Sequence, residues 1–383
     1  MNDFEIEFQF HFQLEIVRNR AKQSQQIENP GDEKYFSRVV TAITAALAHL
    51  LLTISRLKTV LQLQVLRSAH ELSRLQSAWQ RLRQSAPGTV FQDFAWNMLA
   101  ARIFADREAP FVVYARTSTG EAIIPAAIRD ESGGGTLRLL GEELFDYRTF
   151  LYSGDDAALR AALAQLAELG CPLQITALRQ SDAPSVPAEL SLVGFTNAPG
   201  VSRRQLSAET FAQMHLRLAR NLRRIQRLGY DLRIYGGSES QLIRTIYKCK
   251  AEQDPDSLFR DPLRREFIVE AALLDPARVE VFALEAGSHL GAALVTILDP
   301  GVRRFYTCWF SPELAKHSPA LSLIYEVTRL SLDAGLDCDY MTGEQPYKLR
   351  LATTAVKLFH LHASHAQLAS VGRSAPQELK LAG

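Results

Sequence analysis

The chain has no excess of either charge: 43 Lys plus Arg stand against 42 Asp plus Glu in 383 residues. A nearly neutral chain has no general attraction for DNA or for an anionic membrane. Cysteine is scarce, with four residues (Cys171, Cys249, Cys308, Cys338) scattered widely. No C-x-x-C pair occurs, so neither a zinc site nor a disulfide framework is indicated, and a reducing cytoplasm is the simplest compartment. A membrane-length apolar run is lacking as well. Val39 to Ile54 is apolar over sixteen residues but includes His49 and three threonines, short of the roughly 20 residues a spanning helix needs. It starts too far from Met1 for an ordinary secretory signal, so a packed or partner-binding helix is expected there.

What is present fits a soluble globular protein: 47% hydrophobic and 22% charged residues over a length that suggests two or three units. Residues 1–60 read as an extension, with the polar linker Ala21–Lys34 ahead of the apolar helix. From Leu61 the pattern is α/β. "LQLQVL" alternates as a strand, and Ser68, with Glu71 three residues on, reads as the cap of a helix over "SAHELSRLQSAWQRLRQSA". "TVFQDFAWNMLAARIF" predicts a second helix, "PFVVYAR" and "EAIIPAAIRD" a strand pair, and "DDAALRAALAQLAELG" a helix ended by Gly170. The triple glycine at 133–135 reads as a hairpin loop. A Pro-rich break, "SDAPSVPAEL", closes this first unit near residue 185.

A similar order returns in 186–370, leaving 371–383 as a tail. "SAETFAQMHLRLARNLRRIQRLGY" predicts one long helix, "RVEVFALEAGSHLGAALVTILDPGVRRFYTCWF" three strands, "SPALSLIYEVTRLSLDAG" a helix and "CDYMT" a short strand. Two α/β halves of comparable content suggest a duplicated architecture with no residue-level repeat. The expected fold is therefore α/β (α+β): two lobes with mixed central sheets flanked by helices, behind an N-terminal helical extension.

Several of these pieces carry a resemblance by their order. "FQDFAW" and Trp79 come first, then "LRLLGEELFDY" with Gly141 and Asp146-Tyr147, then "LARNLRRIQRLG". "VFALEAGSHLGAALVTI", "SPALSLIYEVTRLSLDAGL" and "DYMTGEQPYKLRLA" follow. Over about Leu61 to His360 this series resembles the GNAT superfamily of acyl-CoA N-acyltransferases. Within it, the series is similar to the BioF2-like, or CelD-like, acetyltransferase domain of cellulose biosynthesis, related to the FemAB peptidoglycan aminoacyltransferases. The resemblance implies tandem GNAT-like lobes and transfer of an acetyl or other acyl group from acyl-CoA to an amine, on a small molecule or a sugar of a surface polysaccharide. It also implies work beside membrane-associated polysaccharide synthesis machinery, with no DNA partner. The alternatives are a FemAB-like transfer from charged tRNA, or an idle acyltransferase fold that helps assemble an exopolysaccharide synthase.

An acyl-CoA transferase must hold a pyrophosphate, polarise a thioester and deprotonate an amine. Free N–H groups at a helix start suit the pyrophosphate, which points to Ser318, Pro319, Ala320 and Leu321, with Trp309 on the preceding strand. Ala320 stands where relatives often carry glycine. The alternative there is an ordinary Ser-capped helix. In "DYMTGEQPYK", Gly343 permits a turn, Glu344 is a candidate base, Tyr347 a donor to the leaving thiolate, and Lys348 a partner for a phosphate or oxyanion, with Asp339 on the strand before them. The alternative for this stretch is a charged surface hairpin. Tyr306, Arg220 and Arg224 are candidate substrate contacts, although Tyr306 and Trp309 also read as core residues and the helix with Arg220, Arg223, Arg224 and Arg227 as a solvated face. His360, His362 and His365 lack an acidic or cysteine companion, so no metal is expected. No cysteine sits in a nucleophile motif, which favours direct attack over a covalent intermediate.

Overall fold

A computed structural model describes residues 61–85, 88–131, 134–141, 143–179 and 186–373. The expected extension over residues 1–60, with its linker and apolar helix, lies outside the described residues, as does the tail beyond Arg373.

The first half runs β1 (Gln62–Leu66), α1 (Ala69–Leu72), α2 (Gln76–Ser85), α3 (Phe94–Ile103), β2 (Glu108–Arg116), β3 (Gly120–Glu131), β4 (Gly134–Leu139), β5 (Leu151–Gly154), α4 (Ala157–Leu166) and β6 (Leu173–Arg179). The second runs β7 (Ser191–Val201), α5 (Ala208–Met214), α6 (Leu216–Arg227), β8 (Asp231–Gly236), α7 (Ser240–Gln253), α8 (Pro262–Leu274), β9 (Val279–Ala286), β10 (His289–Asp299) and β11 (Val302–Phe310). It finishes with α9 (Pro319–Asp333), β12 (Asp337–Asp339), α10 (Pro346–Leu351), β13 (Thr354–Ala363) and α11 (His365–Arg373).

The thirteen strands of the described residues join one mixed sheet, in the order β1-β2-β3-β4-β6-β13-β7-β12-β11-β10-β9-β8, with β5 paired to β3. The order is the same read inward from either edge. Four antiparallel strands are followed by one parallel neighbour: β4 beside β6 in the first half, β11 beside β12 in the second. The duplication that left no trace in residue identity is thus preserved in topology. β13 and β7 form the seam, β13 pairing with β6 and β7 with β12.

Where sequence and structure differ, local geometry is the reason. The helix expected over 207–230 breaks at His215, whose φ of −116° and ψ of 35° are not helical, into α5 and α6. The helix expected over 68–86 is interrupted by a 3-10 turn at Ser73–Leu75. Ser68 caps α1 by accepting from Glu71 N at 3.2 Å, and Gly170 ends its helical stretch at φ 68° as expected. Gly134 and Gly135, read as loop, open β4.

Helices cover the sheet through three apolar clusters. α4 and α11 pack on one face of the first half through Leu159, Leu163, Leu166, Leu368 and Val371, so the last helix returns to the first half's core. α6 and α9 cover the same role in the second half through Leu222, Ile225, Leu323 and Val327. On the opposite face α2, α3, α7 and α8 share one cluster spanning both halves. There Trp96 of α3 meets Phe267 of α8 edge-on at 5.6 Å. Burial of such aromatic surface holds the halves as one body.

Candidate active site

β11 and β12 pair in parallel at only three positions, Val302 with Asp337, Arg303 with Cys338 and Arg304 with Asp339. Beyond them the chain leaves β12 while β11 continues to Phe310. Met341, at φ +64°, and Gly343, at φ +102°, turn it away. A Cβ on Gly343 would also come within 2.9 Å of the Gln345 side chain, so the expected need for glycine is met. On its other side β11 carries a bulge: Val295 faces Thr307 and Thr296 faces Phe305, leaving Tyr306 without a partner on β10. Bulges re-aim side chains and disturb pairing next to functional sites. The two strands therefore open into a fork.

A cavity of about 150 Å³ fills this fork. It is lined from β11 by Phe305, Tyr306 and Cys308, from the turn after β12 by Tyr340, Met341 and Thr342, and from α10 by Tyr347 and Lys348. Ile324 of α9, Leu294 of β10 and Asp146 of the first half complete it. Thr342 ties two of these groups together. Its carbonyl oxygen accepts from Lys348 Nζ at 2.6 Å, and its hydroxyl donates to Asp146 Oδ1 at 2.7 Å.

Burial moves both charged groups toward neutrality. It raises the Asp146 carboxyl against the opposing pull of the Thr342 hydroxyl, Arg148 and Lys348. It lowers the Lys348 ammonium, with Asp146 and Asp339 resisting. Burial also pushes Tyr347 up to about 12 and Cys308 up to about 12. Both therefore stay protonated at neutral pH, and Cys308 is a poor nucleophile.

Helix α9, whose Ile324 lines the cavity, starts after Ser318, a left-handed residue at φ 51°, with Pro319 first and no side chain capping it. Pro319 has no N–H, so the amides of Ala320 and Leu321 point out of the helix start. In the first half the equivalent places are filled. The opening between β4 and β6 is bridged by Arg148, whose N–H donates to Ala177 O at 3.1 Å. The start of α4 already holds a carboxylate, with Ala157 N donating to Asp155 Oδ1 at 3.2 Å. The segment that plugs the first fork is the one that carries Asp146 into the second.

Asp339 does not face the cavity. It ends a chain of alternating charges that crosses both halves. Arg83 bonds Asp93 at 2.7 Å, Asp93 receives Arg278 at 2.6 Å, Arg278 and Arg304 both hold Asp299, and Arg304 and the Tyr147 hydroxyl both hold Asp339. Asp339 Oδ1 also accepts from Met341 N at 2.8 Å, which steadies the left-handed turn. Burial would lower the Arg304 guanidinium, but Asp339 and Asp299 raise it on balance. A second cavity, of about 280 Å³, lies along this network, with Tyr147, Arg304 and Asp339 in its wall and Gly200 and Val356 across from them. Chain neighbours thus line different cavities, Asp146 and Tyr340 the smaller, Tyr147 and Asp339 the larger.

The sequence-predicted candidates separate accordingly. Tyr306, Tyr347 and Lys348 come together in the fork, with Ser318 to Leu321 at the head of the helix that lines it. Glu344 is exposed, outside the cavity lining, and accepts from the Asn197 side-chain amide. Trp309 is buried in the shared core at 8% exposure rather than in the fork. Arg220 and Arg224 lie exposed on α6. Asp146 and Thr342 were missed as site residues. They are 196 positions apart, and only the quoted pair Asp146-Tyr147 marked that segment at all.

Comparison with known proteins places this geometry. Residues 212–349 match the acetyltransferase (GNAT) domain family. That segment is similar to a GNAT domain. It contains the fork, α9 and the Tyr347-Lys348 pair, whereas Asp146 lies outside it. The whole architecture is similar to that of FemX, at a TM-score of 0.53 and 10% identity, covering 77% of this chain and 98% of FemX. It is also similar to L-PGS from Bacillus licheniformis, at a TM-score of 0.51 and 8% identity, covering 79% and 97% of the two chains. At such identities the likeness is one of fold. No curated protein sequence matches this chain. Among the described residues no helix is long and apolar enough to cross a membrane.

Proposed function

We propose that the protein is an acyl-CoA-dependent N-acyltransferase working from the second-half fork, with Asp146 as its base. The observation that carries this reading is the cavity shared by Asp146, Tyr347 and Lys348 at the divergence of β11 and β12, inside the GNAT domain.

The fork suits the parts of an acyl-CoA. The uncapped amides of Ala320 and Leu321 at a helix start favour a pyrophosphate through the helix dipole and their free N–H groups. Among the described residues the edge of β11 beyond Arg304 has no strand neighbour on the β12 side, so its backbone groups are open to the amides of a pantetheine arm. A cavity of about 150 Å³ has room for a group of roughly benzene size, which supports acetyl or another short acyl group.

The chemistry follows from the titration of the lining groups. The nitrogen of a neutral amine attacks the thioester carbonyl carbon, forming the C–N bond and a tetrahedral oxyanion. Asp146, with its carboxyl raised by burial, accepts the proton the nitrogen sheds. Lys348 lies where its Nζ donates to the oxyanion in place of the Thr342 carbonyl. Collapse breaks the C–S bond. Tyr347, held protonated, donates a hydrogen bond to the departing sulfur, and solvent returns the proton from Asp146 to the thiolate. Glu344 anchors the turn through Asn197, and Asp339 fixes it through Met341 and Arg304.

The test is release of free thiol from acetyl-CoA in the presence of a panel of amines, amino sugars included, by wild type and Asp146→Asn. Turnover by wild type with loss in the variant supports the reading. Equal turnover by both removes Asp146 from it, and no acetyl-CoA turnover with any amine argues against the acyl donor.

A further inference from the structure

Helix α6 carries a feature that the fork does not use. Leu218, Leu222 and Ile225 face inward and pack on α9. Turned away from them lie Leu216, Arg220, Arg223, Arg224 and Arg227, all exposed. Their spacing of three, four or seven residues sets them on one stripe along a helix about 18 Å long. None of these arginines, nor Arg217 beside them, makes an ion pair or hydrogen bond with another described residue. This positive face stands on a chain whose total charge is only +1, so it is a local concentration and not a share of general basicity.

The apolar members identify the partner. Leu216 is 51% exposed at the head of the stripe, and Met214 at the end of α5 and Leu228 just past α6 are 61% and 53% exposed. A polyphosphate or nucleic-acid backbone offers nothing to these side chains. A phospholipid surface offers both phosphates for the guanidinium groups and an acyl boundary for the apolar ones. We infer that α6 is a docking surface for an anionic phospholipid bilayer. Arginines along the stripe meet the headgroups, while Met214, Leu216 and Leu228 dip beneath them.

Sedimentation of the full chain with vesicles tests this, using phosphatidylcholine alone and phosphatidylcholine with about one third phosphatidylglycerol. Binding to the anionic vesicles only, weakening as salt rises, is expected. The fourfold variant Arg220→Gln, Arg223→Gln, Arg224→Gln and Arg227→Gln should lose about fivefold in partitioning for each arginine replaced. Leu216→Ser should lose about tenfold with the salt dependence unchanged. Circular dichroism melts matching wild type show that both variants are folded. Equal binding to neutral and anionic vesicles, none to either, or full binding by the fourfold variant overturns the inference. So does binding to a mixed RNA that exceeds vesicle binding and is indifferent to Leu216→Ser, which makes the stripe a nucleic-acid surface instead.

Discussion

Asp146 and Lys348 are joined through one residue: Thr342 gives its hydroxyl to the carboxylate at 2.7 Å and receives the ammonium on its carbonyl oxygen at 2.6 Å. The pair belongs to opposite halves of the chain, and burial shifts the two pKa values toward each other. Burial that raises a carboxyl and lowers an ammonium tunes such groups for acid and base work near neutral pH.

Asp146→Asn keeps an acceptor for Thr342 but cannot take a proton, so turnover should fall about 10²–10⁴-fold. Stability should move the other way. Because the folded-state pKa of Asp146 is raised, the folded protein binds this proton more tightly than the unfolded chain. Its contribution is greatest below the unfolded pKa and is lost as pH rises through the folded one. At neutral pH the amide is free of that cost, and Asp146→Asn should melt at or above wild type. Melting curves from about pH 4 to about pH 8 check this, and a lower melting temperature throughout would show that the carboxylate is stabilising. The rate of wild type should rise with pH through the same raised pKa.

Lys348→Met preserves the aliphatic stem and removes the ammonium. The lowered pKa means the folded state disfavours the charged form, so stability from this group is reduced below the folded pKa and recovers as pH rises through it toward the unfolded value. Turnover should fall about 10²–10³-fold, with stability changed by no more than about 1 kcal/mol. Glu344→Gln should cost less than about tenfold, since the exposed carboxylate holds only Asn197. Steady-state kinetics on the two proteins side by side decide it. A larger loss at Glu344 than at Lys348 would return the base to the turn.

Asp299 has a 3% exposed side chain and holds both Arg278 and Arg304. Removing one partner of a buried charge network leaves the others uncompensated, so Asp299→Ala should lose about 3–5 kcal/mol in urea unfolding. A change below about 1 kcal/mol would mean the chain of charges adds little to the joint between halves.

Among the described residues only the second fork is open, because Arg148 pairs with β6 in the first and Asp155 already occupies the start of α4. Calorimetric titration with acetyl-CoA should therefore give one equivalent per chain, and two equivalents would contradict the assignment.

Much of this was legible in the sequence. The turn at Gly343, the helix start at Ser318-Pro319 and the Tyr347-Lys348 pair are local, and local spacing announced them. The closing turn lines a cavity in this structure, through Thr342, Tyr347 and Lys348 and not through Glu344. What stayed hidden was long-range. Asp146 meets Thr342 because an extended segment of one half crosses to the other, and no periodicity records that. Trp309, on a strand of alternating burial, gave no local sign of which face met the fork. The break at His215 was equally silent, since α5 and α6 share an uninterrupted helical pattern.

The central claim concerns where an acyl donor sits, and a crystal structure with acetyl-CoA tests it most directly. The thioester is expected between β11 and Tyr340–Thr342, its carbonyl oxygen about 2.7–3.1 Å from Lys348 Nζ, with the pyrophosphate on the amides of Ala320 and Leu321. Acetyl-CoA bound with its acyl end outside the fork, or in the larger cavity beside Arg304 and Asp339, would contradict it.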